Sequence, residues 1–265
     1  MKRAAGRAAP TRPECSGEDS PLPAEGFSRP WLAECLRSIA GPLRGQRFCL
    51  ALSGGLDSSV LLDALAGLRA RAGFQLRAVH VDHGLHADSP RWALAARARA
   101  QRLRVDCVIV RVRVRPRRGE SLEAVARRER YAALLGRLAK DETLLTAHHL
   151  DDQLETLLLA LMRGSGVRGL AAMAARSRRA GIQLLRPLLP VSRLQLERYA
   201  GAHGVGYSED PSNADPRFDR NYLRREVLPR LRVRWPAATA MAARSAAHMA
   251  EAQALLDSAA RQAAA

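Results

Sequence analysis

The sharpest chemical signal in the chain is Ser53-Gly54-Gly55-Leu56-Asp57-Ser58-Ser59, a run of glycines, hydroxyls and one acid between a predicted strand and a predicted helix. Glycines let a backbone turn tightly and approach a ligand, and successive N–H groups at a helix N-terminus make an anion site. Ser53, Ser58 and Ser59 add hydroxyl donors. Asp57 is out of place beside a phosphate unless Mg2+ stands between them, which makes it the first candidate metal ligand. The plainer alternative is an ordinary serine-capped turn. A Walker A loop is excluded, because it needs a lysine and the only lysines, Lys2 and Lys140, lie elsewhere. Gly164-Ser-Gly166-Val-Arg-Gly169 has a dinucleotide-binding spacing, yet it follows a helix-like segment rather than a strand, so Gly164 reads as a helix stop.

Five of the seven histidines fall in two clusters, His80-Val-Asp82-His83-Gly-Leu-His86 and His148-His149-Leu-Asp151-Asp152-Gln-Leu-Glu155, each after a strand-like run. Such residues can ligate a transition metal, so a metal-dependent hydrolase is the second class of function. Neither cluster has the H-E-x-x-H form. On a helix Asp152 and Glu155 share a face, which suits a second Mg2+ contact or an ammonium group; acids favouring the helix dipole are the plainer account. Arg127, Arg130 and Tyr131 can line one side of another predicted helix, as a functional face or a solvated one. The polar stretch from Ser208 to Arg225, with Arg220 and Arg224 near its exit, reads as a surface loop able to contact phosphate.

These groups need a scaffold, and the apolar pattern supplies one. Strands are predicted at 47–52, 76–81, 105–114 and 143–146, alternating with helices at 58–71, 90–103, 122–139 (N-cap Ser121) and 151–162. The alternation implies an α/β fold: a parallel twisted sheet with helices on both faces and ligands outside the strands' carboxyl ends. The glycine loop and both histidine clusters follow such ends. A short helix is predicted from Trp31 to Ile39, another from Ser192 to His203, then a loop over 207–219 and an amphipathic helix from Pro236 to Ala265. Residues 1–29 read as a disordered extension, 30–215 as the nucleotide domain, and 216–265 as a helical linker or the start of a further domain, truncated here or naturally short.

The net charge of +17, almost all of it arginine, favours phosphate-rich partners, although an alanine- and arginine-rich coding bias would produce it as well. No run is long and apolar enough to cross a bilayer, so no membrane role is expected. Cys15, Cys35, Cys49 and Cys107 form no C-x-x-C pair and read as free thiols of a reducing compartment.

Taken in order, SGGLDSSVLL, HVDHGLHADS, the pattern from Glu123 to Tyr131, AHHLDDQLETLLLALMRGSGVRGLAAM, RPLL at 186–189 and EDPSNADPRFDRNYLR resemble the tRNA(Ile)-lysidine synthetase family of the PP-loop, or N-type, ATP pyrophosphatases. The resemblance implies a PP-loop ATPase fold, like that of the adenine nucleotide alpha hydrolases, with a small helical C-terminal segment. It implies a cytoplasmic ligase that joins L-lysine to C2 of the wobble cytidine in CAU-anticodon tRNA(Ile). ATP first adenylates the base with release of pyrophosphate, and the lysine amine then displaces AMP. By the same resemblance Ser53 to Ser59, Leu56 included, bind ATP, and Asp57 and Asp152 hold Mg2+. Asp57, Asp152 and Arg130 are the candidate catalytic residues, Asp151 and Glu155 the lysine ligands, and Arg127, Arg220 and Arg224 the RNA contacts. A homodimer is compatible with this reading. The alternative inside the superfamily is a tRNA thiolase, which would normally show C-x-x-C motifs.

Overall fold

The computed structural model describes residues 26–208 and 218–264. Most of the extension expected at 1–29 lies outside them, as do Cys15 and most of the loop expected at 207–219. The elements run α1 (Arg29–Ala40), β1 (Arg47–Ala51), α2 (Leu56–Ala72), β2 (Gln75–Asp82), α3 (Ser89–Arg102), β3 (Asp106–Arg111), α4 (Leu122–Leu135), β4 (Glu142–Leu145), α5 (Leu150–Met162), α6 (Val167–Leu170), β5 (Arg176–Arg179), β6 (Ile182–Leu185), α7 (Arg193–His203), α8 (Asp219–Tyr222), α9 (Leu228–Arg234) and α10 (Ala238–Ala263). Phe27 to Arg29 belong to the fold rather than to an extension. Phe27 stacks edge-on against Trp31 and Tyr199, and the Ser28 hydroxyl accepts from the Trp31 N–H to cap α1.

One sheet of six strands has the order β3-β2-β1-β4-β6-β5. Every pairing is parallel except β5 with β6. The sheet is thus parallel as expected, with an antiparallel edge hairpin that the predicted strands did not include. The hairpin's strands are short and β5 is almost wholly arginine, so hydrophobic alternation does not reveal them. The signal that could have done so is Ala180-Gly181, a two-residue loop with φ of 47° and 79°, the backbone of a tight hairpin turn.

Alternation along β1 divides the core. Phe48, Leu50 and Leu52 face a large cluster built with α1, α2, α3 and α7, in which Leu32, Leu36, Leu61, Leu65 and Leu196 are fully buried. Cys49 and Ala51 face a smaller cluster with Val79, Leu144 and Leu184, covered by Tyr131 and Leu134 of α4. Helices therefore lie on both faces, and α4 stops at Leu135, short of the expected Ala139. β1 and β4 are neighbours at the centre of the sheet, so the loops leaving their carboxyl ends emerge side by side. Beyond α8 the helix widens into a π-turn over Leu223–Val227 before α9. Pro229 explains the widening: it has no N–H to give to the preceding turn, and its ring crowds that turn's carbonyl.

Candidate active site

The loop after β1 is a preformed cradle. Gly54 has φ of +87°, open to glycine but strained for other residues. Its N–H donates to the Ser58 hydroxyl at 3.1 Å, Ser58 lies 2.9 Å from the Ser53 hydroxyl, and the Ser59 hydroxyl donates to the Gly54 carbonyl at 3.3 Å. Gly55 is the N-cap of α2, so the amides of its first turn lack intrahelical acceptors and add the helix dipole to the cradle. Ser53, Gly55, Leu56, Asp57 and Ser58 line one cavity of about 700 Å³. Across it stand Arg127, Arg130 and Tyr131 of α4, His148 and Asp152 after β4, and Arg193, Arg220 and Arg224.

His149 organises the loop after β4. Its ring is almost fully buried and meets three carboxylates: Nε2 is 3.7 Å from Asp57 and 3.6 Å from Asp152, and Nδ1 is 3.3 Å from Asp151. Burial alone would push the imidazole down, but Asp152, Asp151 and Asp57 outweigh it and raise its pKa to about 9. The charged ring donates to Asp151 through Nδ1; only a neutral ring would instead cap the Asp151 N–H, also 3.3 Å away. Asp152 closes the helix start by accepting from the His149 N–H at 2.9 Å. Neighbouring His148 behaves oppositely, burial holding it neutral with a pKa of about 3 while Thr146 binds its Nδ1 at 2.9 Å.

The acids divide by direction, because successive helical side chains point about 100° apart. Asp151 turns away from the cavity, accepting from the Arg193 N–H at 2.8 Å and pairing with Arg232. Burial works against its ionisation, yet His149, the Arg193 amide and Arg232 bring its pKa down to about 2. This carboxylate, expected as a lysine ligand, braces α5 against α7 and α9, its oxygens meeting His149, the Arg193 amide and Arg232. Asp152 and Glu155 share the face expected of them. Glu155 is 0% exposed and receives the Arg224 guanidinium through two bonds of 2.6 and 2.9 Å, and the same guanidinium reaches Asp152 at 3.0 Å. Burial pushes the Glu155 carboxyl up against the pull of Arg224, whereas the charged His149 and Arg224 overcome burial and hold Asp152 down. Arg224, expected at the RNA, is here the counter-ion of a two-carboxylate pocket.

Asp57 is different. Among the described residues its Oδ1 is buried without a hydrogen-bond partner, Arg193 Nη1 standing 3.9 Å away, and burial raises its pKa. A hard cation that takes carboxylate, phosphate and water oxygens suits that atom, so Asp57 fits Mg2+. Asp152 has both oxygens engaged by His149 and Arg224, which leaves Asp57 as the better ligand of the pair. Among the described residues no three His, Cys, Asp or Glu side chains converge as a metal set. His80 binds the Leu52 carbonyl through Nδ1 at 2.8 Å, and His86 stacks on Trp92.

Arg130 is largely buried beside Arg127, and that burial lowers its pKa. Arg220 donates to Thr156 at 3.1 Å and stands 3.8 Å from Glu123. Cys35, Cys49 and Cys107 are free thiols on three separate elements, pushed by burial to about 11, 12 and 11. Gly164 has φ of +65° just past α5, the helix stop its context implied. Sequence reasoning missed Arg193, Arg232 and the hub role of His149; nothing in their local pattern marks the first two.

A parallel sheet with an anion cradle and a cation-ready acid at its carboxyl edge, and no Walker lysine, defines an α/β nucleotide-binding protein. The profile described as PP-loop domain matches residues 30–231, and the chain belongs to that family. It is 50% identical over 219 residues to the tRNA(Ile)-lysidine synthase of Alkalilimnicola ehrlichii, covering 83% of this chain and 49% of that protein. It is 54% identical over 221 residues to the tRNA(Ile)-lysidine synthase of Serratia proteamaculans, covering 83% and 50%. The chain thus spans about half the length of the curated relatives it matches. The U34-tRNA thiolase NcsA of Methanococcus maripaludis has the same fold, with a TM-score of 0.67 at 17% identity over 83% of this chain and 78% of that one. No helix among the described residues is long and apolar enough to cross a membrane.

Proposed function

We propose that this chain carries the catalytic part of a tRNA(Ile)-lysidine synthase, joining L-lysine to C2 of the wobble cytidine of CAU-anticodon tRNA(Ile) with ATP as activator. The observation that carries the reading is a single cavity joining the phosphate cradle, the arginines of α4 and the face of α5 that bears Asp152. The identity to lysidine synthases over most of the chain supports the same substrates.

In the first step the loop amides with Ser53 and Ser58 hold the terminal phosphates of ATP, while Ser59, its hydroxyl donating to the Gly54 carbonyl, shapes the loop. The C2 oxygen of the cytidine attacks the α-phosphorus and pyrophosphate leaves. Mg2+, held by Asp57, would neutralise charge on that leaving group. Arg127 and Arg130 stabilise the charge on the transferred adenylyl group. In the second step Asp152 and Glu155 hold a lysine ammonium in the place Arg224 occupies here, and a lysine amine displaces AMP from C2. The cytidine must leave its stack to enter, and the arginines lining the cavity, Arg220 included, suit the phosphates flanking a splayed base.

The test is incubation with Mg-ATP, labelled lysine and unmodified CAU-anticodon tRNA(Ile), beside Asp57→Asn. Lysine in the RNA and stoichiometric AMP are expected from the parent chain, with at least a hundredfold loss in the variant. ATP-independent hydrolysis with tightly bound zinc would defeat the reading.

A further inference from the structure

The Gly54 carbonyl accepts from three donors: the Ser59 hydroxyl at 3.3 Å, the Ser208 N–H at 2.9 Å and Arg99 Nη1 at 3.0 Å. Arg99 comes from α3, whose inner face is Ala93, Ala96 and Ala100, small enough to let the helix approach the loop. A Cβ placed on Gly54 would lie 3.3 Å from that of Ala96. The other arm of the guanidinium, Nη2, donates to the Ser208 hydroxyl at 2.7 Å. Burial lowers the Arg99 pKa, with Arg102 adding to the effect, so the charge is kept there against a desolvation cost.

We propose that Arg99 is a positioning residue of the phosphate cradle, setting the Gly54–Gly55 peptide before the anion arrives. The peptide is trans, so its C=O and N–H point in opposite directions. With the carbonyl held toward Arg99 and Ser208, the Gly55 N–H faces the other way, toward the cavity-lining Ser53 hydroxyl at 3.4 Å, and it is Gly55, not the buried Gly54, that lines the cavity. The guanidinium also places a positive charge behind the cradle, where it strengthens the attraction for polyphosphate without touching it. Ser208, held by the same guanidinium, ties the cradle to the segment that follows α7.

The inference rests on the cradle holding a polyphosphate but not on lysine or tRNA, so calorimetric binding of inorganic pyrophosphate and of ATP to the whole chain tests it separately. Arg99→Ala should weaken both by about tenfold, the loss of one charge-assisted bond. Arg99→Lys, which can still reach the Gly54 carbonyl, should recover at least a third of the affinity, and the lysine KM should not move. Ser208→Ala, which keeps the N–H bond to Gly54, should cost about threefold or less. Unchanged pyrophosphate binding in Arg99→Ala, or ATP and lysine affinities falling together, overturns the proposal. A parent chain that binds no pyrophosphate overturns it along with the cradle, whereas pyrophosphate binding without lysidine formation counts only against the function proposed above.

Discussion

At the scale of residues, the centre of this protein is a balance among three carboxylates and three cations. Asp57, Asp152 and Glu155 lie close enough to oppose one another's ionisation, and His149, Arg193 and Arg224 are the charges that keep them usable. Removing one partner of such a buried pair costs more than the pair contributes, because a charge is left desolvated and alone. Glu155→Gln should therefore destabilise the fold by about 2–3 kcal/mol, less than a fully buried pair since Arg224 keeps 36% of its side chain exposed. Urea unfolding measures it, and a change below about half a kcal/mol would show the pair to be dispensable. If Arg224 stands where a lysine ammonium goes, Arg224→Ala should unfold at lower temperature than its parent and be raised more than the parent by millimolar lysine. Equal shifts in both proteins would place the ammonium elsewhere.

At the scale of elements, the site is built by two neighbouring strand ends and one irregular helix. β1 delivers the cradle and β4 delivers His148 to Asp152, while the π-turn before Pro229 sets the helix that carries Arg220 and Arg224 against α5. Behind them Arg77 of β2 grips Glu142 at the start of β4 through two short bonds, and Glu142 also accepts from the Ala139 N–H. Arg77, the largest influence, holds the Glu142 carboxyl below its ordinary value of 4.5. A folded-state value below the unfolded one means the stabilisation is present above about pH 4.5 and is lost as pH falls through the folded value. Glu142→Gln should thus cost about 2 kcal/mol at pH 7 and progressively less below pH 4, as thermal unfolding across that range would read. A cost independent of pH would assign the effect to packing.

At the scale of the whole molecule, the net charge of +17 becomes a property of association. If the chain binds tRNA and lysine as proposed, arginines that neutralise RNA phosphates release counter-ions, so tRNA affinity should fall about tenfold or more between about 50 and 200 mM salt, while lysine affinity barely moves. Filter binding across a salt series checks this, and a flat series would separate the charge from RNA recognition.

The order of strands and helices and the location of the glycine loop were legible in the sequence, because apolar periodicity and turn chemistry are properties of neighbouring residues. So was the convergence of motifs at the sheet's carboxyl edge, which follows from parallel topology alone. The edge hairpin was not legible, since β5 is almost wholly arginine and β6 spans only four residues, too short to show a period. Nor was the difference in partners between Asp151 and Asp152, adjacent in sequence but turned to different neighbours. That difference depends on Arg232 and Arg224, which lie 81 and 72 positions away in the chain and reach α5 only once the helices after α7 have packed. Local pattern supplied the candidates; long-range packing, by deciding which charge each acid meets in a desolvated place, selected among them.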